Sequence, residues 1–212
     1  MHDGASLRET ARSYFEGEMS PAHDWHHVTR VETIAEELLA ARPGADERVL
    51  YPAVVLHDIG RAREDRGEID DHARWGAREA RTILHEEDFD DGRIDAVCHA
   101  IRVHRYSNDR EPETIEAKLL CDADNLDALG AVGVARTFTY GGELGQPMHD
   151  PDLPPEADGT PTGATQYNHL HKKILQLPER MYTDAGRELA EKRREFVETF
   201  LDRFDAEVAG RK

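Results

Sequence analysis

One period runs through almost the whole chain. Apolar residues return at three- and four-residue spacing, as in helices that bury one face. Trp25, Val28, Val31, Ile34, Ala35, Leu38 and Leu39 form such a stripe, and Pro43-Gly44 stops it. Ser20-Pro21 reads as its start signal, because proline is tolerated in a first helical turn. A shorter helix carries Leu50, Ala53, Val54 and Leu56, with Gly60 at its end. Further helices are expected over 6–19, 72–84, 94–103, 113–129, 134–140, 167–177 and 183–208. The polar stretch 61–71 reads as a loop. Residues 145–163 hold Pro147, Pro151, Pro154, Pro155 and Pro161 among several aspartates and have no period. They read as a long surface loop, either covering a site or inserted at the surface. No segment shows a convincing strand pattern. The expected fold class is all-α, one domain over 1–212 with helices packed around a buried centre.

Composition removes several classes. A chain of 212 residues that is 38% hydrophobic can build a core. Its 27 Lys+Arg stand against 44 Asp+Glu, a formal charge of −17. That charge repels phosphate backbones, so duplex nucleic acid is not an expected partner, and a nucleotide site needs a local cationic centre. No apolar run approaches the roughly 20 residues of a membrane span. The start, Met1-His2-Asp3-Gly4, lacks the pattern of a signal peptide. Cys98 and Cys121 make neither a metal spacing nor a disulfide framework. A reducing, cytoplasmic setting is the expectation. Lysine occurs only at Lys118, Lys172, Lys173, Lys192 and Lys212. An acidic, lysine-poor, arginine-rich surface suits a salt-loving source, where screening removes self-repulsion. A GC-rich genome would give the same bias.

The chemistry lies in polar groups aimed at the core. His27 lies on the stripe of Val31, Ile34 and Leu38, and His57-Asp58 continue the stripe of Leu50 and Val54. Asp122 and Asp124 interrupt Leu119-Leu120-Cys121-Asp122-Ala123-Asp124-Asn125-Leu126. A buried carboxylate is costly unless paired, hydrogen-bonded or metal-bound. Each group has a plain structural reading: a satisfied core histidine, a helix cap, a buried ion-pair partner. A single cation shared by three helices resolves all the burial costs together.

Ordered along the chain, these residues carry a resemblance. His27-Val28-Thr29-Arg30-Val31, Leu56-His57-Asp58-Ile59-Gly60 and Ala123-Asp124-Asn125-Leu126-Asp127-Ala128 resemble the His…His-Asp…Asp signature of the HD superfamily of metal-dependent phosphohydrolases. Ile101-Arg102-Val103-His104-Arg105-Tyr106-Ser107, Gly130-Ala131-Val132-Gly133-Val134-Ala135-Arg136 and His171-Lys172-Lys173-Ile174-Leu175 are similar to its small, stand-alone hydrolases, some of which cleave nucleoside triphosphates. The resemblance implies a divalent metal on His27, His57, Asp58 and Asp124. It makes Asp122 a residue that holds a ligand histidine or a basic side chain in place.

Two imidazoles and two carboxylates without a thiolate suit Mn, Fe, Co or Ni, with Mg also admissible. Such a metal would acidify its water for attack on phosphorus and screen phosphoryl charge. Asp58 is then ligand and candidate proton acceptor. His72 and His104 are the candidate helpers on phosphate, and His104 matches better than His99. Lys173 matches a family lysine and is a candidate phosphate contact. Arg61 and Arg63 follow Gly60 at the expected mouth of the site, where Arg61 could guide an anion inward. Arg30 fits a structural ion pair better than a phosphate contact. The leading function is hydrolysis of a phosphate ester or phosphoanhydride of a small molecule, a nucleotide above all. The alternatives are a nucleotide-sensing module without turnover and a di-iron oxygenase.

Overall fold

The computed structural model describes residues 4–17, 19–105 and 110–211. Tyr106 and Ser107, the opening Met1-His2-Asp3, and Lys212 lie outside the described residues. Among the described residues every regular element is a helix and none is a strand. None of these helices is long and apolar enough to cross a membrane. The chain divides into two compact units, Met1–Asp124 and Asn125–Lys212.

The first unit holds α1 (Gly4–Ser13), α2 (Trp25–Ala40), α3 (Glu47–Leu56), α4 (Arg61–Asp65), α5 (His72–Glu86), α6 (Asp91–Val103) and most of α7 (Ile115–Asp127). Aspartates start four of these helices. Asp24, Asp46, Asp71 and Asp90 accept from the backbone N–H of His27, Arg48, Arg74 and Arg93. The start of α2 therefore differs from the Ser20-Pro21 expectation. Ser20 is buried and its hydroxyl accepts from Ala22 N, while the carboxylate of Asp24 makes the cap. Helix α1 also stops short of residue 19, ending in the turn at Tyr14-Phe15. Helix α3 is the central rod, buried at Val49, Leu50, Ala53, Val54, Val55 and Leu56 and packed by α2 and α6. The stripe Ala73, Gly76, Ala77 and Ala80 on α5 is made of small residues, which allows α6 to lie close. The stretch 61–71 is not a plain loop, because its first five residues form α4. One turn buries only Ala62, so no periodicity announces it.

The second unit holds α8 (Gly130–Glu143), α9 (Gln166–Lys172), a 3₁₀ turn (Ile174–Arg180) and α10 (Asp184–Val208). Helix α8 is longer than the expected 134–140, because glycines at both ends hide its extent. The expected 167–177 helix breaks at Lys173, whose φ of −123° and ψ of −53° leave the helical region. Buried Asp127 pairs with Arg136 at 2.6 Å. Residues 145–163 contain no helix or strand, and they are pinned to the start of α9. Gln166 N donates to Pro147 O, Tyr167 N to Met148 O, and the Asn168 amide to Leu153 O. The Asp158 carboxylate accepts from Thr160 N and Oγ1, Ala164 N and Asn168 Nδ2. The Lys172 ammonium donates to the carbonyls of Asp158 and Thr160. Gly163 has φ +94°, and a Cβ there would stand 2.4 Å from His169 N, so only glycine closes the loop on α9.

Asp158 gathers the loop, so Asp158→Ala should release it. Limited proteolysis is expected to cut the variant within 145–163 under conditions that leave the wild type whole. Equal resistance of the two proteins would contradict this.

Candidate metal centre

Six polar side chains converge in the first unit, most of them from helix ends. His27 stands in the first turn of α2, where its N–H takes the Asp24 cap at 3.1 Å. His57 and Asp58 follow α3 rather than extend it, in the turn that leads to α4. His72 opens α5 and His104 closes α6. Asp124 projects from α7, whose neighbours Leu119, Leu120, Cys121, Asp122 and Ala123 are all buried. The four histidines and Asp58 are buried, and the side chain of Asp124 is 24% exposed.

The distances draw one ring. His27 Nε2 lies 3.3 Å from His57 Nε2, 3.4 Å from Asp124 Oδ1 and 3.6 Å from Asp58 Oδ2. His57 Nε2 is 3.7 Å from the same Asp58 oxygen. The other oxygen, Asp58 Oδ1, faces His72 Nε2 at 3.1 Å and His104 Nε2 at 3.4 Å. Among the described residues, ligand atoms of His27, His57 and Asp124 lie within 4.8 Å of one another, as do those of His57, Asp58 and His104.

Two rings have their protons placed by the backbone. His57 Nδ1 lies 2.7 Å from Val54 O, and His104 Nδ1 lies 2.6 Å from Ile101 O. A carbonyl only accepts, so each Nδ1 carries a hydrogen, and His57, kept neutral by burial, turns its Nε2 lone pair inward. The His27 and His57 nitrogens, with the two carboxylates, form a nitrogen–oxygen donor set that fits a divalent cation. A shared cation also resolves the 3.3 Å approach of the His27 and His57 nitrogens.

Gly60 makes the ring possible. A Cβ there would lie 2.9 Å from His72 O and 3.1 Å from His72 Cα, so the start of α5 seats against bare backbone. Gly76, one turn on, stands beside His57 O.

Electrostatics separates the groups. Burial, aided by neighbouring imidazoles, pushes His57 down to about 4. Burial alone would lower His72 too, but Asp58 and Glu64 outweigh it and raise it to about 9. Burial opposes ionisation of Asp58 and Asp124, yet the adjoining histidines hold both below the ordinary carboxylate range.

The remaining candidates are placed as follows. Asp122 is fully buried on α7 and joins neither donor group. Arg30 is half-buried on α2. Arg61 lies on α4, 3.2 Å from Asp65 and 3.8 Å from Glu64. Arg63 pairs with Glu68 and lies over the Trp75 ring. His99 accepts from Glu113 N. Lys173 belongs to the second unit, directly after α9. Sequence reasoning missed Glu64, whose Oε2 lies 2.7 Å from His72 Nδ1. The available signal was Arg61-Ala62-Arg63-Glu64-Asp65 directly after Gly60, a run containing good helix formers.

Comparison with known proteins gives a consistent result. The HD domain family model matches residues 24–129. YpgQ of Bacillus subtilis (strain 168) is 31% identical over 195 residues, covering 90% of this chain and 87% of that protein. An HD-superfamily hydrolase from Bacillus thuringiensis superposes with TM-score 0.76 at 32% identity, covering 97% and 96% of the two chains. The structure of Bacillus subtilis YpgQ in complex with ADP gives TM-score 0.76 at 29% identity, covering 99% and 100%.

Two outcomes test this geometry. Gly60→Ala should drive His72 away from Asp58, lowering metal affinity about 10–100-fold at a stability cost of about 1–3 kcal/mol. Calorimetric metal titration and urea unfolding read the two effects, and unchanged metal affinity would contradict the first. For the metal-free protein, His57 and His72 act in opposite pH ranges. His57 is depressed from 6.5 to about 4, so its unfolded form takes protons first and stability falls as pH drops through that window. His72 is raised from 6.5 to about 9, so its contribution is complete below 6.5 and is lost as pH rises through 9. The urea midpoint should therefore peak near pH 6.5, and Asp58→Asn should flatten the alkaline limb.

Proposed function

The chain belongs to the HD domain family, and from that premise we propose that its buried His/Asp centre is the active site of a metal-dependent phosphohydrolase acting on a nucleotide. The observation that carries this reading is the shared carboxylate: Asp58 offers one oxygen to His27 and His57 and the other to His72 and His104. Phosphoryl transfer needs positioning and electrostatic stabilisation more than covalent help. A divalent cation on His27, His57, Asp58 and Asp124 would supply Lewis-acid charge and lower the pKa of a water ligand. Mn, Fe, Co and Ni suit the donor set best.

The chain's own groups supply the rest. Asp58 would help hold the cation, and its Oδ1 faces His72 and His104, so Asp58 is placed to pass a proton to that side. His72, held charged by Asp58 and Glu64, and His104 attract the phosphate oxygens of the substrate. Arg61 is proposed as a further phosphate contact, and Asp122 and Arg30 as supports for the ligand helices. The ADP complex of YpgQ supports a nucleotide as the substrate class. The nucleotide's own charge is met inside the ring of imidazoles, while the acidic body of the protein disfavours long nucleic-acid duplexes.

The test is a phosphatase and pyrophosphatase screen on nucleotides and sugar phosphates with Mn, Mg, Co and Ni. Turnover should require metal and fall at least about 100-fold in Asp58→Ala, the size of a lost transition-state contact of roughly 2.7 kcal/mol. Tight nucleotide binding without turnover would replace this reading with a sensing role. Two bound irons with an iron–oxygen chromophore would replace it with an oxygenase.

A further inference from the structure

The buried histidines of the centre are not held alike. His57 and His104 stand at helix C-termini, where the carbonyl three residues back takes the Nδ1 proton: Val54 O for His57, Ile101 O for His104. His72 stands at the first position of α5 and has no preceding turn of its own helix to offer a carbonyl. Its Nδ1 needs an acceptor from another element.

Glu64 provides it. The Glu64 carboxylate accepts from His72 twice: Oε2 from ring Nδ1 at 2.7 Å and Oε1 from backbone N at 3.3 Å. One side chain thus fixes both the ring and the start of the helix that carries it. Arg105 Nη1 donates to Glu64 Oε1 at 2.9 Å and reaches Asp71 Oδ1 at 3.5 Å, and Asp71 is the N-cap of α5. Arg61 stands 3.8 Å from Glu64 Oε2. Glu64 is therefore held from behind by cations while it faces His72. With Nδ1 committed to Glu64, His72 must present Nε2 to Asp58 Oδ1, 3.1 Å away.

We infer that Glu64 is a positioning residue for the centre. From outside the helix it gives His72 the proton placement that backbone carbonyls give His57 and His104. The single-turn helix α4 exists between Gly60 and the start of α5 to deliver it. A bland surface ion pair is the competing account, and it would leave the His72 ring unaffected by loss of the carboxylate. The activity arm of the test rests on the phosphohydrolase reading above, and the tautomer arm does not.

The experiment uses the full chain labelled with ¹⁵N-histidine. Two-bond ¹H–¹⁵N spectra of the chelator-stripped protein read whether each ring nitrogen of His72 carries hydrogen, and a His72→Asn control assigns the signal. Wild type should show a protonated Nδ1. Glu64→Ala should move that hydrogen off Nδ1 and leave Nε2–H on Asp58, and Glu64→Gln, whose amide oxygen still accepts, should restore the wild-type pattern. In steady-state kinetics, Glu64→Ala should lose about 10–100-fold in kcat, the usual cost of removing a partner that orients a metal-site histidine. KM should change less than about threefold by the same argument, and Glu64→Gln should recover most of the loss. If Glu64→Ala does not fold, Glu64→Leu replaces it with the same readouts. An Nδ1 that stays protonated without the carboxylate overturns the inference, even in an active enzyme. A tautomer switch in a protein whose wild type turns over nothing supports the inference and removes the hydrolase reading instead.

Discussion

The arrangement of the first unit depends on one buried carboxylate. Asp58 is 5% exposed, and each of its oxygens faces two imidazole nitrogens. A lone carboxylate in that position would be expensive to bury, and so would four imidazoles without partners. Together they can share protons or a cation. The helices are placed to keep this group closed: α3 ends where His57 and Asp58 begin, α5 starts on His72, and α6 ends on His104. Gly60 removes the one side chain that would hold α5 away.

Helix ends make this economical. A histidine at a C-terminus finds a carbonyl three residues back in the last turn of its own helix, and its Nδ1 hydrogen is fixed there. A histidine at an N-terminus finds free N–H groups instead. That asymmetry explains why His57 and His104 are self-contained, whereas His72 depends on Glu64 and, behind it, on Arg105. The aspartate caps at α2 and α5 belong to the same economy, since each sets the entry of a helix that carries a site histidine.

Much of this was legible in the sequence because it leaves a mark on apolar faces. His27 on the stripe of Val28, Val31 and Ile34, and Asp124 in a helix buried nearly all round, announce themselves as polar groups that need a reason. The all-helical class followed from the same periodicity. Glu64 and α4 left no mark on the apolar period, because one turn shows less than a full period and its only buried residue is an alanine, so the helix-forming run 61–65 was the sole signal. The start of α2 was misplaced because Ser20-Pro21 and Asp24 both carry start signals, and only the fold decides which side chain meets the free N–H groups. The loop 145–163 was recognisable by its prolines, whereas its anchoring through Asp158 and Lys172 depends on contacts distant in sequence.

The most direct test of the central claim is calorimetric titration of Mn into the chelator-stripped chain, checked by elemental analysis and repeated with His57→Ala. The account predicts saturable binding at one or two equivalents per chain, weakened at least about 10–100-fold in the variant. Equal metal uptake by both proteins, or none by the wild type, would return the buried histidines and aspartates to a purely structural role.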